Sequence, residues 1–98
     1  MDALATATNM VAKENISQLS FPKNDVLLLE NERLERQSLI NKAMTLGNTR
    51  KLKVKIVFED AEGVKTVDTT VWGVTDNNII LKQTTVIPIR RIHQIKFF

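Results

Sequence analysis

Polar and apolar positions change rhythm along the chain. Residues 1–24 hold Ala, Thr, Asn, Ser and Lys with scattered apolar residues and no sustained period. That pattern predicts a mobile N-terminal arm, with a short helical turn around Val11–Leu19. Phe21-Pro22 ends the arm, because proline pushes the residue before it toward extended backbone. Residues 25–46 read as a helix. Asn24 or Asp25 offers a short side-chain oxygen to the orphan amides of a first turn, and Gly47-Asn48 offers a left-handed exit. At about 100° per residue, Val26, Leu28, Leu29, Leu39, Ile40, Ala43, Met44 and Leu46 fall on one broad face, with Leu27 and Leu34 opposite. The middle of the segment, Glu30 to Arg36, is polar and carries Arg33 and Arg36 onto the apolar face. Two arrangements fit: the ends cover a core while a solvated centre pairs Glu32 with Arg36, or one end packs on a sheet and the other on a partner.

From Arg50 onward the period is two. Lys51, Lys53 and Lys55 alternate with Leu52, Val54, Ile56 and Phe58, the pattern of a half-buried strand. Asp60-Ala61-Glu62-Gly63 predicts a hairpin turn with glycine at positive φ. A second strand follows over Val64–Val74, where Gly73 marks a bulge or bend. Thr75–Asn78 predicts a turn, Ile79–Lys82 a third strand, Gln83-Thr84 a tight connection and Thr85–Ile89 a fourth strand. Arg90-Arg91 makes a short turn before a fifth strand, Ile92–Phe98. Connections this short join antiparallel neighbours. The expected fold is α+β: an arm over residues 1–24, then over residues 25–98 one helix packed on a five-stranded antiparallel, strongly bent small barrel.

Composition narrows the function classes. Thirty-two of the 98 residues are Val, Ile, Leu or Phe, enough for a packed core. There is no cysteine and one histidine, His93, so thiol chemistry is excluded and metal sites have few ligands to draw on. The N-terminus lacks a basic and apolar leader, and the longest wholly apolar run, Val26–Leu29, is far short of a membrane span. A cytoplasmic protein without membrane contact is expected. Charge is uneven: residues 1–49 carry five basic and six acidic side chains, residues 50–98 nine and five. The surplus in the second half favours an anionic partner there.

The succession of a helix and five strands, Gly63 in the first hairpin, Asp76 before Ile79-Ile80-Leu81 and the closing Ile87-Pro88-Ile89-Arg90-Arg91-Ile92-His93-Gln94-Ile95 resemble the Sm-like fold; SH3-like barrels share a related strand order. The Sm-like resemblance implies RNA held by the loop before the third strand and by the basic loop before the fifth. It would carry Asp76 and Asn78 as base readers and Arg90 or Arg91 as phosphate binders. Arg91 stands where the family's second motif has a glycine beside its basic residue. Rings of that family close by pairing the fourth strand with a neighbour's fifth, whereas Pro88 removes a ladder donor from the fourth strand here. A standard ring is therefore not expected, and a dimer is left open.

Candidate chemistry follows the charge. Lysines 51, 53 and 55 on one strand face would stand about 6.8 Å apart, a spacing suited to a nucleic-acid backbone, or they keep a sheet face soluble. Arg90 and Arg91 can fork onto phosphate, with His93 stacking on a base; alternatively one arginine pairs with Asp68, Asp76 or a helix glutamate. Trp72, the only tryptophan, shares a face with Thr70 and Val74 and is expected beneath the helix. Glu59, Asp60 and Glu62 read as a solvated hairpin tip. Phosphate-binding glycine loops and nucleophile elbows are absent, so neither an enzyme nor a cofactor is expected. The leading expectation is a single-stranded nucleic-acid binder, RNA before DNA. The competing one is a protein-contact module or homodimer using Leu27 and Leu34.

Overall fold

The computed structural model describes residues 9–82 and 85–98; the start of the expected arm and the Gln83-Thr84 connection lie outside them. Its one α-helix, α1, spans Glu30–Arg50 and so begins and ends later than the pattern predicts. The start moves because Asp25 is not a helix cap. One of its oxygens accepts from the Leu27 amide at 2.8 Å, and both accept from the Arg36 guanidinium at 2.8–2.9 Å. Leu28 and Leu29, expected on the core face, lie outside the helical turns and are exposed. At the other end the chain stays helical through Gly47-Asn48, and the left-handed residue is Lys51 at φ 55°. The stripe buried along α1 is Arg36, Ile40, Ala43 and Gly47, at the i, i+4, i+7, i+11 spacing of a single helix face.

The period-two half forms six strands, joined by a seventh from the N-terminal segment. A four-stranded sheet has the order β1 (Asn9–Met10), β3 (Gly63–Thr69), β2 (Val54–Asp60), β7 (Ile92–Phe97). A three-stranded sheet has the order β4 (Val71–Val74), β5 (Asn78–Leu81), β6 (Val86–Pro88). The long second strand of the sequence reading is thus β3 and β4, interrupted at Thr70, where the chain passes from one sheet to the other. Gly73 does sit at an irregularity, since the β4–β5 register shifts between Val71 and Gly73. A short 3-10 helix, η2 (Ile89–Arg91), replaces the Arg90-Arg91 turn and joins β6 to β7. No β6–β7 ladder forms among the described residues, so the sheets do not close into a barrel.

Between the sheets and under α1 lie Ile40, Ala43, Val54, Ile56, Phe58, Val67, Val71, Ile79, Leu81, Ile87, Ile92 and Ile95. Leu52, expected among them, is 44% exposed because β2 begins only at Val54. The segment expected as an arm is tied down from Asn9 onward. β1 runs parallel to β3, Val11 donates its amide to the Thr66 carbonyl at 2.9 Å, and Ile16 is fully buried in the core. The helical turn expected near Val11–Leu19 is the 3-10 helix η1, Lys13–Gln18. Two apolar residues in a polar stretch give too little pattern to announce a strand, which is why β1 escapes a period search.

The β2–β3 hairpin has its two-residue turn at Ala61-Glu62, with Gly63 at φ +148° as expected. Its acidic tip is solvated only in part: Glu62 is exposed, Glu59 half-buried and Asp60 buried. Asp60 is 2% exposed and accepts from the Lys65 ammonium at 2.7–2.8 Å and from the Glu62 and Gly63 amides at 2.9–3.0 Å. Burial pushes its carboxyl upward, but these donors outweigh burial and hold it below the usual carboxylate range. Among the described residues no helix is long and apolar enough to cross a membrane.

Candidate nucleic-acid interface

The closing basic turn was the strongest expectation, and packing takes most of it away. Arg91 is 4% exposed. Its Nε donates to the Glu59 carbonyl at 3.0 Å, its Nη1 to the Asn24 carbonyl at 2.9 Å, and its Nη2 lies 3.7 Å from the Glu59 carboxylate. A guanidinium so occupied is a structural brace and cannot fork onto a phosphate. None of the acidic partners weighed from the sequence is the one it finds. His93 is held as well, with Nε2 2.8 Å from the other Glu59 oxygen and its side chain only 15% exposed. Arg90 is half-buried, donating Nε to the Pro22 carbonyl at 3.0 Å. It shares a shallow polar depression with Asp76, Asn77, Asp25 and Arg36, where the Asp25 carboxylate is taken by Arg36. Asn78 lies apart from that depression, its backbone closing the turn onto Thr75.

The lysine row is also redistributed. Only Lys55 lies on β2; it opposes Asp68 on β3 and reaches its carboxylate at 3.8 Å. Lys51 is the residue that leaves α1, and Lys53 lies in the link before β2. These two meet at a different place, around Trp72. Inward-facing Val67 and Val71 are buried in the core, so Asp68, Thr70 and Trp72 take the alternate face. α1 covers Thr70, next to Gly47, but not Trp72, which stands beside Gly47, Asn48 and Lys51 and is 49% exposed. The expectation of a buried indole fails because the β4 register shifts between Val71 and Gly73: Val74, paired with buried Ile79, packs against the core, and Trp72 does not share its face. Lys82 donates its amide to the Thr70 carbonyl at 3.2 Å, which sets its side chain diagonal to the indole.

The result is a cavity of about 190 Å³ lined by Trp72, Lys51, Lys53, Lys82, Asp68 and Thr70. Three lysines, one half-exposed indole and one aspartate border it. Sequence reasoning missed Lys82 and Asp68. The available signal was the i, i+2, i+4 succession of Asp68, Thr70 and Trp72 along the segment that reads as one strand in the sequence, with Lys82 beyond the next turn.

The two leucines proposed for partner contact separate. Leu27 is half-buried and lines a groove with Leu39, Arg36 and His93, whereas Leu34 is 66% exposed. Leu28 and Leu29, just before α1, are exposed as well. Among the described residues no group of three His, Asp or Glu side chains is placed to hold a metal ion. The chain matches no family model, and neither the curated proteins nor the solved structures include a match to it.

Proposed function

We propose that this protein is a non-enzymatic binder of single-stranded nucleic acid, and that the strand docks at Trp72 rather than at the closing basic turn. The observation that carries the reading is the half-exposed Trp72 ringed by Lys51, Lys53 and Lys82. An exposed aromatic surface among cations is the recurring solution for holding a flexible single strand: a base stacks on the ring while ammonium groups meet the backbone. A duplex keeps its bases stacked on each other and offers the indole no such face. RNA before DNA, and an Sm-like or SH3-like barrel left open between β6 and β7, follow from the resemblance. The helix followed by six antiparallel strands, the chain passing from one sheet to the other at Thr70, supports that architecture.

Trp72 is the only tryptophan and the chain has no tyrosine, so intrinsic emission reports on the proposed site alone. Short single-stranded RNA should quench it and raise the anisotropy of a labelled oligonucleotide. Affinity should fall with salt at a slope of about −0.7 per phosphate contacted. Trp72→Ala should weaken binding about tenfold or more, and Lys51→Ala/Lys53→Ala should lower the salt slope. Absence of binding at low salt, or full affinity in Trp72→Ala, would overturn the assignment.

A protein-contact reading rests on a separate observation, the exposure of Leu28, Leu29 and Leu34. It expects concentration-dependent self-association that Leu34→Glu abolishes and Trp72→Ala leaves intact. Sedimentation of the wild type and both variants separates the two readings.

A further inference from the structure

A carboxylate inside a cationic cleft is a poor neighbour for phosphate. Asp68 belongs to the same cavity wall as Trp72, Lys53 and Lys82, and its one ionic partner among the described residues, Lys55 outside the cavity, stands at 3.8 Å from a single oxygen. That separation is beyond hydrogen-bond range, so Lys55 does not occupy the acceptor sites of the carboxylate. Lys55 faces Lys96 on β7, a like charge, so cations flank Asp68 on the sheet side as well as in the cleft. An acceptor-only group beside a stacking platform reads the edge of a base, and repels the backbone.

We propose that Asp68 gives the Trp72 cleft a preference for guanine, an inference that rests on the nucleic-acid reading above. The chemistry separates the four bases. The Watson–Crick edge of guanine presents two adjacent donors, the ring N–H and the exocyclic amine, which match the two oxygens of one carboxylate. Next to them lies a carbonyl acceptor, suited to a lysine ammonium such as that of Lys82 or Lys53. Cytosine and adenine each set one amine beside a ring nitrogen that would face the carboxylate lone pairs. Uracil flanks its single N–H with two carbonyl oxygens. Only guanine meets Asp68 without an opposed acceptor, and the surrounding lysines make the pairing charge-complementary on both sides.

The test uses Trp72 quenching and anisotropy with a uracil hexamer, the same hexamer carrying one central guanine, adenine or cytosine, and one carrying inosine, which lacks the exocyclic amine. The guanine strand should bind about 5- to 100-fold tighter than the uracil strand, with inosine between them. In Asp68→Asn and Asp68→Ala the guanine preference should collapse. The uracil strand should bind equally well or better, because a negative charge has left the cleft. Guanine and uracil strands that bind alike in the wild type would overturn the inference while leaving the Trp72 assignment standing. So would a guanine preference that survives both variants, which would make Asp68 no more than a partner for Lys55. If no strand binds, both readings fall together.

Discussion

Gly47→Ala is expected to be among the most damaging single substitutions in the chain, although alanine is ordinarily the better helix residue by about 1 kcal/mol. Gly47 lies within α1 on its buried stripe, and a methyl group there would overlap the carbonyl oxygen of Val71. That oxygen is backbone in β4, whose partner strand β5 fixes its position, so no side-chain rotation relieves the overlap. The helix must rise off the sheet, which loosens Ala43 and Ile40 one and two turns earlier. Overpacking of this kind costs about 1–3 kcal/mol and sometimes more. The upper part of that range applies where backbone meets backbone. A loss of about 3 kcal/mol corresponds to a melting temperature lower by on the order of 10–20 °C for a domain of this size. Asn48→Ala, at the exposed neighbouring position, is the control and should move stability little. Urea and thermal unfolding of the pair decide it: a Gly47→Ala variant as stable as the wild type would mean that α1 does not press on β4. The same substitution bears on function, since the lifted helix end carries Lys51 and borders Trp72.

Gly47 also shows why some of the fold is legible in the sequence and some is not. In one dimension a glycine after an amphipathic run looks like an exit, because that is the commoner use of glycine at helix ends. Here the demand on it is steric and comes from a strand more than twenty residues later. Strand alternation, by contrast, is a local consequence of the pleat, so Val54, Ile56 and Phe58 as core, the Asp60–Gly63 hairpin and the irregularity at Gly73 are all readable. The buried arginines are not. Arg36 and Arg91 look like surface residues until their partners are known, and those partners lie 11 residues away for Arg36 and 67 for Arg91. The candidate site suffers from the same blindness. Counting charges finds the basic half of the chain, but the arginine pair that looks most available is the one that packing uses. The lysines that look like one row on a strand are split by the helix exit at Lys51 and regroup around an indole whose exposure follows from the register shift in β4.

Asp25→Ala should produce a loss comparable to that of Gly47→Ala, by an electrostatic route. Arg36 is 5% exposed and its guanidinium depends on Asp25 for two of its three hydrogen bonds; the third goes to the Ile92 carbonyl at 3.1 Å. Its Nε has no partner among the described residues, so little remains to compensate the charge once the carboxylate is gone. Removing one member of a buried ion pair costs about 3–5 kcal/mol, most of it the penalty of the charge left behind. Asp25→Asn/Arg36→Met, which removes both charges, should therefore recover much of the loss, and a double variant as unstable as Asp25→Ala would contradict this account. The pair also fastens the link before α1, which is stitched to η2 by the Val26 amide on the Arg90 carbonyl at 2.9 Å and by Arg91 on Asn24. Loss of Asp25 should therefore make the segment between Pro22 and Leu29 the first site of limited proteolysis. The pH dependence has a definite sign. Burial raises the Asp25 carboxyl, but the Arg36 hydrogen bonds, the Leu27 amide and the charges of Arg36 and Arg33 outweigh it, leaving it below its ordinary 3.8. With the folded value under the unfolded one, the unfolded chain binds more protons as the medium acidifies through that range. The stabilisation is thus complete well above the ordinary value and is lost as pH falls below about 4. Stability curves of the wild type and Asp25→Ala should lie apart near neutrality and converge in acid, with Asp60, depressed in the same direction, leaving a residual slope in the variant. Parallel curves across that interval would show that acid does not act through the Asp25–Arg36 pair.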